Sequence, residues 1–222
     1  MKKEPERPAA SPPQPAPQPS DANVSRRTRN KMRTREAILN AARECFGQSG
    51  VSGTTMDQIA HEADVARATL FNYFPSKSDI VAVLVEELDQ AFYRKIEALR
   101  KKPLTMAQRL ERLMRTTGEE IEETPPYIRT IVGASELGWN DNVGAARIGQ
   151  LILEFQKLLE DGRASGEVRD DFDTRILAEI ASSCLVGIIH NWRLDESYPL
   201  AERMAEVGRF LAQTIVKSGQ TA

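Results

Sequence analysis

Between Thr55 and Lys77 the sequence gathers side chains able to donate hydrogen bonds to a patterned anionic surface. Arg67 can pair with guanine O6 and N7 in a DNA major groove, Asn72 can pair with adenine, and Thr69 or Phe71 can touch a thymine methyl. Ala68 shares their outward side, so Arg67, Ala68, Thr69, Phe71 and Asn72 form the candidate base-reading set. Tyr73, Lys77 and Thr55 stand at helix boundaries and suit phosphates, which fix orientation without carrying sequence information. Each of these residues taken alone is equally well a surface or capping residue. Their concentration on one short helix is what points to DNA.

Other chemistry is poorly supplied. The chain has two histidines, His61 and His190, and no G-x-S-x-G, H-E-x-x-H, P-loop or G-x-G-x-x-G pattern. Cys45 and Cys184 are far apart, with no second Cys or His at metal-ligand spacing, and read as free buried thiols. No metal, cofactor or catalytic residue is expected. Charge is asymmetric beneath a formal net of −2: residues 24–80 carry nine Lys/Arg against six Asp/Glu, residues 81–222 eighteen against twenty-three. A basic head on an acidic body suits an anion-binding module attached to a body that does not bind anions, and a net +3 equally fits ordinary surface variation.

The elements that must position the donors follow from periodicity. Ile38, Leu39, Ala42, Cys45 and Phe46 fall on one helical face and Gly50 stops it, which predicts a first helix over about 33–48. Thr55 can cap a second helix, with Asp57 in its first turn and Met56, Ile59, Ala60 and Ala63 on one face. Asp64 tolerates the left-handed conformation of a tight turn, and Val65 can fill the corner. A third helix then runs from about Ala66 to Tyr73, anchored inward by Leu70 and Phe74. Pro75 ends it, and Ser76 caps a long fourth helix whose Ile80, Leu84, Leu88, Ala91 and Phe92 form another stripe.

On either side lie less specific segments. Seven of the twelve prolines fall before Asn23, among Ala, Gln and Ser, and residues 1–24 read as a disordered tail. In Ser25–Arg35 six of eleven residues are cationic. Arg26, Arg27 and Arg29 can meet phosphates or a minor groove, and a solvated basic flank explains them as well. After Pro103, helices are expected over about 105–123, 126–138, 142–163, 173–194 and 200–217, with no convincing strand. The small residues of the penultimate helix permit close helix approach, and Met204, Val207 and Leu211 repeat at helical spacing in the last. Both helices fit either a self-association face or the monomer's own core.

Residues 34–83 resemble the N-terminal domain of the TetR family of transcriptional regulators. The resemblance is carried by Thr34-Arg35-Glu36-Ala37-Ile38-Leu39-Asn40-Ala41-Ala42 with Phe46 and Gly50, by Thr54-Thr55-Met56 with Ile59-Ala60, and by Thr69-Leu70-Phe71-Asn72-Tyr73-Phe74-Pro75-Ser76-Lys77. The chain departs from the usual pattern at Asp64 for Gly, Ala66 for Ser, Ala68 for Gly and Phe71 for Tyr. Those four positions obscure the base-by-base reading and leave the fold expectation intact.

The resemblance implies an all-α chain of about nine helices, with a helix-turn-helix domain and basic arm at 25–78 and a helical effector-binding and dimerisation domain at 79–222. It implies a cytoplasmic homodimeric regulator, a ligand-responsive repressor on a pseudo-palindromic operator, with Thr34 joining the phosphate contacts. It favours self-association through Ile180, Cys184, Gly187, Ile188, Met204, Val207 and Leu211. Phe92, Met114, Tyr127, Trp139, Phe155, Cys184 and His190 are candidate linings for a small apolar or aromatic effector. A non-specific nucleoid-type DNA binder, or an all-helical enzyme, is the alternative.

Overall fold

The computed structural model describes residues 21–124, 126–136 and 142–217. The chain divides into two units, Met1–Ala37 and Ile38–Ala222. Within the described residues there are nine helices: α1 (Asp21–Gly53), α2 (Met56–Glu62), α3 (Arg67–Tyr73), α4 (Lys77–Arg100), α5 (Met106–Glu122), α6 (Tyr127–Glu136), α7 (Asn142–Ala164), α8 (Thr174–Leu194) and α9 (Leu200–Ile215). The β-structure among them is one isolated bridge, Val168 to Val216.

In the first unit, residues 21–37 are the start of α1. The helix begins at Asp21, not near residue 33, and residues 21–24 are helical where an unstructured tail was expected; the rest of that tail lies outside the described residues. The basic run has no apolar stripe to betray a helix, only residues compatible with one. Gly50, at φ 70°, interrupts α1 in a backbone conformation that costs a glycine little, as the stop signal required.

The second unit holds two apolar clusters. One unites Ile38, Leu39 and Phe46 of α1 with Ile59, Leu70, Ile80 and Leu84, so the two seven-residue helices α2 and α3, too short to persist alone, share a core with α1 and the start of α4. Thr55 caps α2 through a reciprocal capping box with Gln58, and Ser76 does the same for α4 with Asp79. Such a cap contributes about 1 kcal/mol. Ala66, at the start of α3, supplies no side-chain cap. The tight turn is closed instead from behind: Asp64 has φ 51°, its N–H bonds to the His61 carbonyl, and the Val65 N–H bonds back to the Ala60 carbonyl. This is the paired-bond ending that a left-handed residue permits after a helix, and it sets the corner between α2 and α3.

The second cluster gathers α5, α7, α8 and α9 around Leu110, Met114, Phe155, Leu158 and Leu211, with the distal half of α4. Helices α5 and α9 approach closely because Gly118 faces α9: a Cβ there would lie 2.8 Å from Met204 Cβ and 2.9 Å from the Ala201 Cα. Arg100 clamps α4 to α7 by a forked pair of bonds to Asp161, at 2.6 and 3.0 Å. Helix α6 belongs to both clusters. Ile128 and Val132 pack into the second, Ile131 and Ala134 into the first, and Tyr127 touches both.

Candidate nucleic-acid interface and effector cavity

Helix α3 buries Leu70, with Phe74 just beyond its end, and presents Arg67, Ala68, Phe71 and Asn72 to solvent, while Thr69 and Tyr73 are half-buried. Arg67 is organised by its neighbours: Nη1 donates to Asp57 Oδ2 of α2 at 3.0 Å, and the guanidinium lies 5.5 Å from the Phe71 ring centroid. Thr55 is exposed and bound up in its capping box. Lys77 Nζ donates to the Thr54 carbonyl at 2.7 Å, while the buried Thr54 hydroxyl donates to the Gly50 and Cys45 carbonyls. The first residue of α4 is therefore strapped to the junction between α1 and α2. In the first unit, Arg26, Arg27 and Arg29 are exposed and Thr34 is half-buried.

A cavity of about 350 Å³ opens in the body among α4, α5, α6, α7 and α8, within the roughly 300–1,000 Å³ typical of ligand sites. Leu88 and Phe92 of α4, Ile128 and Val132 of α6, and Leu185 and Trp192 of α8 build much of its apolar wall. On one side Arg147 of α7 bonds Asp89 of α4 through Nε at 2.7 Å and Nη2 at 3.0 Å. Tyr93 stands beside this pair, and its phenol pKa is raised, first by burial and then by Asp89, against the pull of Arg147. On the other side Lys95 reaches Glu120 at 2.6 Å and Thr117 at 3.2 Å.

Of the seven expected lining residues, the structure places Phe92 in the wall. Met114 and Phe155 are fully buried core, Phe155 lying behind Phe92 with ring centroids 6.0 Å apart. Tyr127 packs between the two clusters beside Gly47, and Cys184 is half-buried in the body core, its thiol pKa raised by burial. His190 borders a separate, outer groove between α7 and α8. Trp139 lies outside the described residues. Asp89, three residues before Phe92 and four before Tyr93, could have been found beside both by helical spacing; Arg147, far along the chain, had no such signal.

The expected self-association residues also divide. Met204 and Leu211 are fully buried against the monomer's own core, and Ile188 is buried, so these three do not form a surface. Cys184 and Val207 are half-buried. Ile180 and Gly187 are exposed on a stripe of α8 that runs through Ile176, Ser183 and Leu194, and Phe210 of α9 is 54% exposed.

A short helix with Arg67 and Asn72 exposed, locked by a tight turn to a supporting helix, has the build of a helix-turn-helix DNA-binding module. Residues 38–84 match the model of the bacterial regulatory proteins of the tetR family. Along most of its length the chain is similar to the nucleoid occlusion factor SlmA of Shewanella loihica, 24% identical over 193 residues covering 85% of this chain and 98% of the relative. Its fold is similar to SmeT, the repressor of the Stenotrophomonas maltophilia multidrug efflux pump SmeDEF, in the triclosan complex (TM-score 0.69, 23% identity, 84% of this chain and 93% of the other). It is likewise similar to Thermus thermophilus FadR, a TetR-family transcriptional repressor, bound to lauroyl-CoA (TM-score 0.64, 22% identity, 85% and 98%). The chain is thus a DNA-binding transcriptional regulator with an all-helical body. Among the described residues no helix is long and apolar enough to cross a membrane, and no group of three or more His, Cys, Asp and Glu could hold a metal.

Proposed function

We propose that the protein is a homodimeric repressor, released from a pseudo-palindromic operator by a small apolar effector, and that it acts as a regulator and not as an enzyme. The observation that carries this reading is the double membership of α6. The helix gives Ile128 and Val132 to the cavity wall and Ile131 and Ala134 to the DNA-binding core. Helix α4 does likewise, from Lys77 strapped to Thr54 at one end to Leu88 and Phe92 in the cavity at the other. A molecule that fits the cavity only when these helices shift favours one arrangement of α3 over another, and differential affinity is what moves such an equilibrium. Triclosan in SmeT and the acyl chain of the lauroyl-CoA bound by FadR support an effector with a substantial apolar part.

We assign the DNA-binding domain to 25–78 and the effector-binding and dimerisation domain to 79–222. The α8 stripe of Ile176, Ile180, Ser183 and Gly187, with Phe210 of α9, supplies the apolar surface for a twofold partner. A symmetric dimer then places two α3 helices in major grooves separated by about one DNA turn, roughly 34 Å, or a multiple of it. Arg67, Asn72 and Phe71 face the bases, and Thr34, Thr55, Tyr73 and the cationic run from Arg26 the phosphates.

Selection of bound DNA from a random pool tests this reading. A palindrome is the expected result, and an absence of sequence preference would establish instead the non-specific, nucleoid-type binder that similarity to SlmA brings into view. Fluorescence titration of Trp192 with apolar compounds, alongside release of the selected DNA, tests the effector.

A further inference from the structure

The four charged groups of the cavity are already matched within the protein. Both Asp89 oxygens accept from Arg147, and Lys95 is held by Glu120 and by the Thr117 hydroxyl. The two threonine hydroxyls of the lining are similarly committed: Thr117 donates to the Leu113 carbonyl and Thr124 to the Ile121 carbonyl, at 2.7 and 2.5 Å. The charges of the lining cancel, and the rest of the wall is aliphatic or aromatic.

An ionised head group entering this space would lose water that the apolar wall cannot replace. It would find a counter-charge only by breaking one of two existing pairs, Arg147–Asp89 or the more exposed Lys95–Glu120. At the Arg147–Asp89 pair, 28% and 20% exposed, either exchange strands the abandoned partner in a partly buried position, the arrangement that makes breaking one half of an ion pair costly. A neutral molecule meets neither obstacle. The Tyr93 phenol, held protonated by burial and by Asp89, is a neutral donor beside the pair.

We propose that the cavity selects neutral, largely apolar molecules bearing one hydrogen-bonding group, and that Asp89 sets this preference by cancelling the charge of Arg147. The proposal rests on the effector reading of the cavity given above. Asp89 thereby becomes a specificity-determining residue without supplying a ligand contact of its own.

Three ten-carbon probes that differ only in head charge test it: 1-decanol, decanoate and decylammonium, titrated into the full-length protein and followed by Trp fluorescence and thermal shift. Wild type is expected to bind decanol at least tenfold more tightly than either ion. Asp89→Asn keeps the side-chain volume and leaves Arg147 cationic and unpaired, so the decanoate-to-decanol affinity ratio should rise at least tenfold while decylammonium gains nothing. The reversed pair Asp89→Arg with Arg147→Asp should restore the preference for decanol, and it carries the test if the single variant does not fold. Tighter binding of decanoate by wild type, an unchanged ratio in Asp89→Asn, a reversed pair without the decanol preference, or no binding by any probe would each overturn the proposal. Release of operator DNA is scored separately. Decanol that binds as expected without releasing DNA supports the ligand class and refutes the effector reading.

Discussion

Replacing Arg67 by Ala separates base reading from scaffold most cleanly. In the free protein Arg67 makes one exposed ion pair with Asp57 and one stacking contact with Phe71, and its side chain is 68% exposed. An exposed pair is worth about 0–1 kcal/mol and a surface cation–π contact about 0.5–1 kcal/mol. The substitution should therefore lower folding stability by little more than about 1 kcal/mol, since Leu70, Phe74 and the turn at Asp64 remain. Loss of a two-pronged contact to guanine costs about 1–3 kcal/mol at one base position, or roughly 5- to 150-fold in affinity, and a twofold dimer loses it in both half-sites. The assay is equilibrium titration on the selected operator and its single-base variants, with Asp57→Ala and the double variant completing a cycle. Wild type should discriminate at one guanine per half-site, Arg67→Ala should not, and Asp57→Ala should fall between them because the arginine is present without its brace. Uniform weakening across all sequences would place Arg67 on the phosphate backbone and refute the base-reading role.

Three further outcomes follow from the packing and electrostatics. Gly118→Ala puts a methyl within 2.8 Å of Met204 Cβ and 2.9 Å of the α9 backbone, so denaturant unfolding should show a loss of about 1–3 kcal/mol as the helices are forced apart. At Asp64, where φ is 51°, substitution by Val should cost about 1–2 kcal/mol and weaken DNA binding with it, whereas Gly should hold stability, as comparison of melting curves will show. The Asp161 carboxyl is held below its ordinary pKa by its bonds to Arg100. Its stabilising effect is therefore full above the unfolded value of about 3.9 and fades as pH falls through the lower folded value. Asp161→Asn should be less stable than wild type by about 0.5–1 kcal/mol at neutral pH, discounted for the partial exposure of the pair. The gap should close once the pH has fallen below the lowered folded value, where both states of the wild type are protonated; a gap that persists there would show a loss of packing and not of charge.

The sequence by itself determined the helices of the second unit, the capped start of α2, the left-handed corner at Asp64 and the outward face of α3, because each depends on neighbours within a few residues. Helical period, hydroxyl caps and turn-forming side chains act locally, so they can be read in order along the chain. Helix α1 was under-read because Ser25–Arg35 carries charge without an apolar stripe, and periodicity has nothing to register there. The cavity was legible only at Phe92. Its wall is assembled from five helices, and a feature such as the Asp89–Arg147 pair exists only once α7 lies against α4. The last helix makes the same point. Met204 and Leu211 have the spacing of an interface and of a core alike, and the packing of α5 on α9, close at both Gly118 and Gly208, leaves both residues fully buried. Periodicity says that a face must be covered; only the tertiary structure says by what, since the covering atoms come from elsewhere in the chain.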